Sequence, residues 1–271
     1  MTTIQAIILG AVQGITEFLP VSSSGHLQLA KELLGVHLTE NLTFDVALHA
    51  GTVCSTFLIL WDEIAWILKG LFSKTMNEAH SYVLKIIVSM IPVAIVGFTC
   101  KDYIEEMLND GDSILVVGCM LLITAILLGF TYFKREDSAT KAGRTIGYKD
   151  AFIIGLAQAA AVMPGLSRSG STIATGILLG NDRSAVAKFS FLMVLVPILG
   201  NTLLDLIKGG GTIAIEGVSS GALLAGFISS FVVGAVACRA MIEIVKRGKL
   251  IYFAVYCAVV GAISIAVYFI R

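Results

Sequence analysis

Residues 162–172 read VMPGLSRSGST, and residues 17–27 read EFLPVSSSGHL. Each sets a proline ahead of a Ser-x-Ser-Gly cluster. The second-half copy carries an arginine, and the first-half copy carries a glutamate and a histidine. The chain around them is 56% hydrophobic and only 14% charged, with runs such as SILVVGCMLLITAILLGFTYF that hold no charge at all. That contrast decides the fold class: an all-α polytopic membrane protein, interrupted at two places by polar, helix-breaking segments.

A membrane-crossing helix needs about 20 mostly apolar residues. Six stretches meet this requirement, at 44–61, 82–100, 113–133, 184–206, 217–238 and 250–270. They leave two punctuated apolar pieces, 3–35 and 150–181. The N-terminus has no basic region before its first apolar run and no small-residue cleavage pattern, so no removable signal peptide is expected. The formal net charge is zero, which argues against nucleic acid as a partner. The five cysteines, Cys54, Cys100, Cys119, Cys238 and Cys257, lie in or at the ends of apolar spans without a C-x-x-C pair. They read as small core residues, not as disulfides or thiolate ligands.

The two punctuated pieces are related. With an offset of 145, AIILGAVQGITEFLPVSSSGHLQLAKELLG from Ala6 aligns without a gap to AFIIGLAQAAAVMPGLSRSGSTIATGILLG from Ala151, with ten identities in thirty positions. The shared glutamine (Gln13, Gln158) and the shared Ser-x-Ser-Gly carry more weight than the matched Ala, Ile and Leu, which are abundant throughout. Each copy has an apolar arm too short to cross comfortably, a break at proline and serines, and a second short arm. Irregular backbone at membrane depth is tolerated only where it is buried in protein or lines a wet cavity, so each piece reads as a re-entrant helical hairpin. The expected organisation is one integral membrane domain over 1–271, with pseudo-repeats 1–133 and 150–271 joined by a basic loop at 134–149.

Loop charge gives the orientation. Residues 134–149 hold five Lys or Arg against two acids and 239–249 hold four against one, so both are expected on the cytoplasmic side. Residues 101–112 hold one basic and five acidic residues, which suits the outer side, and 62–81 is nearly balanced. Three spans separate the hairpins, so the second repeat is inverted relative to the first. Both chain ends then lie outside, as in inverted-repeat proteins whose sites sit at the repeat interface near the bilayer midplane.

Glu17, His26 and Arg168 are costly at membrane depth, and ionisable residues there are functional candidates. Gln13 and Glu17 are four apart and share a helix face. Their oxygens, with serine hydroxyls and phosphate oxygens, suit a hard divalent cation such as Mg²⁺ or Ca²⁺. Ser22, Ser23, Ser24 and Gly25 precede one short arm, and Ser167, Ser169, Gly170 and Ser171 precede the other. Serines at such positions are ordinary N-caps, but a helix start also offers free N–H groups and a positive dipole end to an anion. Arg168 adds a planar fork matched to phosphate. Ser23 with His26 as base forms an activated nucleophile, and direct attack by His26 is an equally open reading. His49, inside a span, reads as a hydrogen-bonded helix contact, and His37 and His80 as loop or boundary residues.

These stretches resemble the signatures of the bacterial undecaprenyl-diphosphate phosphatases of the bacitracin-resistance type. One is E/Q-x-x-x-E with its continuation, here Gln13-Gly-Ile-Thr-Glu17-Phe-Leu-Pro-Val-Ser-Ser-Ser-Gly-His26. The other is P-G-x-S-R-S-x-x-T, here Pro164 to Thr172. The resemblance covers essentially the whole chain. It implies hydrolysis of undecaprenyl diphosphate to undecaprenyl phosphate and inorganic phosphate, which recycles the lipid carrier for peptidoglycan and other envelope polymers. It further implies a divalent cation and an active site facing outward from the bacterial inner membrane. Carried over by position, Glu17 is catalytic or a metal ligand, Ser23 the nucleophile, His26 the acid/base partner, and Arg168 with Ser167 and Thr172 the diphosphate clamp. Ser22, Ser24 and Ser169 join the phosphate-binding set. Where the family often has Glu, this chain has Gln13, which either helps hold the metal or orients Glu17. The membrane type 2 phosphatidic acid phosphatases also end a motif in S-G-H, but they require a histidine after the S-R pair, and none follows Arg168. The partners implied are a polyprenyl diphosphate and membrane lipids, with a homodimer allowed. A transporter or flippase of a phosphorylated polyprenyl carrier is the alternative from another functional class, because paired inverted hairpins are transporter architecture. The Ser23/His26 pair, which binding alone does not need, favours catalysis.

Overall fold

A computed structural model of the chain describes residues 1–36, 41–99, 113–133, 143–208 and 218–270. All regular structure among them is helical: α1 (Thr3–Phe18), α2 (Ser23–Leu33), α3 (Asn41–Ile59), α4 (Trp61–Leu71), α5 (Glu78–Thr99), α6 (Ser113–Phe133), α7 (Tyr148–Ala160), α8 (Arg168–Leu178), α9 (Arg183–Lys208), α10 (Ser220–Lys246) and α11 (Ile251–Ile270). Five helices are long and apolar enough to cross a membrane, and a sixth span results if α3 and α4, bent by 78°, are taken together. The protein is an all-α, multi-pass membrane protein.

The structure corrects two boundaries. The balanced segment 62–81 is not a plain loop, because it contains α4 and the start of α5. Trp61, Trp66 and Leu68 are exposed on α4 while Ile64 is buried, and Asp62, Glu63 and Lys69 share the helix. Most of the basic segment 239–249 is the last part of α10, which runs eight residues past the expected end at 238 to Lys246. There Arg247 reaches back to Glu243 at 2.9 Å, an i,i+4 pair on the exposed surface. The acidic segment 101–112, Cys100, His37 and the basic residues 134–142 lie outside the described residues.

The two punctuated pieces are each a short helix, a break and a second short helix. At 1.5 Å per residue, α1 is about 24 Å long and α2 and α8 about 16 Å each, less than the ~30 Å hydrocarbon core. Both second arms stop the same way. Leu34 and Leu179 end them in helical conformation, and Gly35 and Gly180 follow with φ of 63° and 89°, the left-handed region open to glycine.

The packing pairs like with like. α1 lies along α10, and α7 lies along α5. Gly10 and its aligned partner Gly155 make these contacts close, since a Cβ would come within 2.3 Å of Gly226 O at the first and 2.3 Å of Ser89 O at the second. Small residues recurring on α10 (Gly226, Ser230, Gly234) let backbones approach, the usual means of helix association where no water drives it. Ser229 donates to Ile7 O, and Ser230 donates to Leu48 O, each at 2.7 Å. Ser55 answers from α3, donating to Phe231 O at 2.7 Å. On the other flank α6 lies along α11, where Gly118 and Gly261 oppose each other's carbonyls. These pairs fix the scaffold between which the two breaks meet.

Candidate active site

The break at 19–22 touches the first turn of α8, where the break at 161–167 ends. Ser169 donates to Leu19 O at 3.1 Å, and a Cβ on Gly170 would sit 3.1 Å from Pro20 Cβ. Cys257 on α11 donates to Pro20 O at 3.3 Å and holds the first break from behind. Gly165, with φ 91°, runs so close to α6 that any side chain would meet Val117. The contact between the tips therefore rests on backbone approach, which explains why proline, glycine and small hydroxyl residues stand here.

Between the tips, α3 and α9 lies a narrow cleft. Its lining mixes the polar Glu17, Arg168, Ser169, Thr52, Thr56 and Ser190 with the apolar Phe18, Val53, Phe191, Val194, Leu195 and Ile198. Glu17 is held on several sides. Gln13 Nε2 donates to its Oε2 at 2.9 Å, His49 Nε2 stands 3.8 Å from the same oxygen, and Ser23 and Arg168 both interact with the carboxylate. Gln13 thus turns its amide nitrogen to Glu17, and its Oε1 is buried with no hydrogen-bond partner. Among the described residues the Arg168 guanidinium has no hydrogen bond and no ion pair within 4 Å, although it faces Glu17 across the cleft. Its donors are free for a ligand.

The other expected residues divide. Ser22 has φ 70°, the one non-glycine residue with positive φ among those described. Such backbone strain costs of order 1–3 kcal/mol and concentrates at functional sites. Its hydroxyl caps nothing and lies 3.5 Å from Ser24 Oγ. His26 does not face Glu17. Its Nδ1 is 2.9 Å from Ser22 O and its Nε2 is 2.6 Å from the Tyr256 hydroxyl on α11. A carbonyl only accepts, so Nδ1 carries the proton and Nε2 accepts from Tyr256. Ser167 and Thr172 are buried and already engaged. Ser167 Oγ caps α8 through Gly170 N at 3.2 Å, while its own N–H donates to Thr124 at 3.1 Å. Thr172 donates to Arg168 O at 2.9 Å and pairs with Ser190. Both brace the start of α8, with Ser169 and Ser190 standing at the cleft itself.

Thr52, Thr56, Ser190 and the approach of His49 to Glu17 are absent from the sequence reading. His49, Thr52 and Thr56 recur at three- and four-residue spacing on one face of α3, and that polar stripe in an apolar span was the available signal. Ser190 had none, since a lone serine in a transmembrane helix more commonly bonds its own backbone.

A family model described as bacitracin resistance protein BacA matches residues 6–263. An undecaprenyl-diphosphatase of Bacteroides thetaiotaomicron is 54% identical over 262 residues, 96% of this chain and 97% of that protein. One from Parabacteroides distasonis is 54% identical over 268 residues, 98% of each. One from Christiangramia forsetii is 46% identical over 267 residues, again 98% of each. With the match running through both breaks and nearly every helix, the chain belongs to the BacA family of bacitracin resistance proteins.

Proposed function

We propose that this chain hydrolyses undecaprenyl diphosphate to undecaprenyl phosphate and inorganic phosphate, recycling the carrier lipid for peptidoglycan and other envelope polymers and conferring resistance to bacitracin. The observation that carries the reading is the cleft in which a guanidinium from one hairpin and a carboxylate from the other stand together among apolar side chains. The polar groups suit a diphosphate and the apolar ones the start of a prenyl chain.

In this reading Arg168 binds the terminal phosphate and stabilises the charge that spreads over its oxygens. Ser23, at the first turn of α2, attacks the terminal phosphorus in line. The Ser23 O–P bond forms, the P–O bond to undecaprenyl phosphate breaks, and that oxygen leaves with the electron pair. His26, three residues on, accepts the serine proton at Nε2 once Tyr256 releases that atom. Water then attacks the phosphoserine phosphorus, the P–O bond to Ser23 breaks, Ser23 Oγ recovers its proton from His26, and the water proton leaves with inorganic phosphate. A divalent cation fits the donor set, because Glu17 supplies a carboxylate and Gln13 Oε1 is a buried oxygen without a partner. No cluster of three or more His, Cys, Asp or Glu stands among the described residues, so phosphate oxygens and water would complete the shell, as they commonly do for Mg²⁺. Bound there, Mg²⁺ or Ca²⁺ would neutralise phosphate charge. The purified chain in detergent, with no sealed compartment, is expected to release inorganic phosphate from undecaprenyl diphosphate. Transport without hydrolysis would leave phosphate at background and sink the reading.

The inverted arrangement of the two repeats and an outward-facing site in the bacterial inner membrane belong to the same proposal. The matched pairs α1–α10 and α7–α5, and the facing glycines of α6 and α11, support a two-fold relation between repeats. A cysteine introduced at Ile270 is expected to react with a membrane-impermeant maleimide in intact spheroplasts. Labelling only after the membrane is opened would overturn the orientation.

A further inference from the structure

Ser190 on α9 lines the cleft and is buried, with its hydroxyl 2.5 Å from Thr172 Oγ1. Thr172 Oγ1 in turn lies 2.9 Å from Arg168 O and 3.3 Å from Ser169 O. The direction of this run follows from its protons. Each hydroxyl has one to give, and a carbonyl can only accept. If Thr172 gave its proton to Ser190, its oxygen would face two carbonyl oxygens unbridged. The Ser190 proton would then be buried with no other acceptor among the described residues. Ser190 therefore donates to Thr172, and Thr172 donates to Arg168 O. With its proton spent, Ser190 presents only lone pairs to the cleft, which repel a phosphate oxygen instead of binding it.

The next residue on α9 reaches the other hairpin. Phe191 meets Phe18 edge to face, with ring centroids 5.3 Å apart at 88°, and Phe18 follows Glu17 at the end of α1. Successive helical residues point about 100° apart. One turn of α9 thus holds the backbone of Arg168 through Thr172 and the flank of Glu17 through Phe18. Opposite charges among apolar side chains attract strongly, yet Arg168 and Glu17 form no ion pair within 4 Å. Collapse of the arginine onto the carboxylate would occupy the forked donors that a phosphate needs. From this geometry we propose that Ser190 is a positioning residue for Arg168. Acting through Thr172, it fixes the main chain from which the guanidinium projects, and with Phe191 it keeps the two charges apart so that a phosphate can enter. The inference rests on reading Arg168 as the group that binds the terminal phosphate.

The test is steady-state phosphate release from radiolabelled undecaprenyl diphosphate by the purified full chain in detergent, with inorganic phosphate as a competing ligand. Ser190→Ala is expected to lower kcat/KM about tenfold and to raise the inhibition constant of inorganic phosphate by a similar factor, the scale of one buried hydrogen bond. In an Arg168→Ala background the same substitution should change the remaining rate by less than about twofold, because residues that act through one another are not additive. A brace needed only for packing would cost the same in both backgrounds. Ser190→Cys, close in size and a weak donor, carries the same expectation and replaces the alanine variant if that one does not fold. Wild-type kcat/KM in the folded variant, an unchanged inhibition constant, or an equal loss in both backgrounds overturns the inference, as does failure of both variants to fold. Release by wild type that the Ser190 variants leave unchanged removes Ser190 alone. No release by wild type removes the phosphatase reading itself.

Discussion

Arg168→Ala should lower phosphate release from undecaprenyl diphosphate by about 10²–10³-fold, the cost of removing one preorganised charged donor from a phosphoryl or oxyanion site, without lowering the temperature of unfolding in detergent. The second half of this expectation separates a functional arginine from a structural one. Among the described residues Arg168 makes no ion pair within 4 Å, and it stands in a cleft whose lining includes Phe191, Val194 and Leu195. Glu17 attracts it from beyond 4 Å, and a charge so loosely compensated in such surroundings costs free energy. Had its purpose been to pair with Glu17 and brace the two hairpins, truncation would destabilise the protein by several kcal/mol, as breaking a buried ion pair does. Arg168→Lys should fall between wild type and alanine, since an ammonium keeps the charge but loses the two-pronged geometry. Near-normal turnover by Arg168→Ala, or a clear drop in its unfolding temperature, would remove Arg168 from the site.

The sequence made some of this geometry easy to foresee and concealed the rest. The long spans were legible because α6 and α11 have almost no polar residue to argue against them. The breaks were legible because Pro20 and Pro164 interrupt apolar arms in two aligned copies. α4 was hidden by its balanced charges, which say nothing about sidedness, although Trp61 and Trp66 already hinted at an amphipathic helix at the membrane surface. The extension of α10 was hidden because a basic run at the end of a span reads as a loop, when Arg239 to Lys246 only continue the helix out of the apolar layer. Within the site, Glu17 and Arg168 could be paired from the repeat alone. His26 could not be placed. Its spacing from Ser23 suggests a dyad, but the ring's orientation is set by Tyr256, 230 residues away. The approach of His49 to Glu17 was equally invisible, because it depends on how α1 and α3 cross.

Glu17→Gln is the sharper test of what the first hairpin contributes, because the substitution keeps shape and removes only charge. It is expected to slow phosphate release by about 10²–10⁴-fold, the range associated with loss of a positioned acid/base or charge-stabilising group. In the wild type Gln13 donates to Glu17 from one helical turn away, so the cleft holds one carboxylate and one amide in a fixed order. Exchanging them in Gln13→Glu/Glu17→Gln preserves composition and net charge while moving the carboxylate four residues, about 6 Å along α1, away from Arg168 and the tip. If Glu17 acts through its place opposite Arg168, the exchanged variant should be as slow as Glu17→Gln alone. Gln13 is fully buried where Glu17 lines the cleft, so a carboxylate at 13 would also lack the space that a phosphate needs. Recovery of more than about a tenth of wild-type turnover by the exchange would mean that any carboxylate on this face suffices, and that the order of Gln13 and Glu17 carries no function. The expected failure of the exchange instead ties activity to one carboxylate at the break, where the first hairpin meets the arginine of the second.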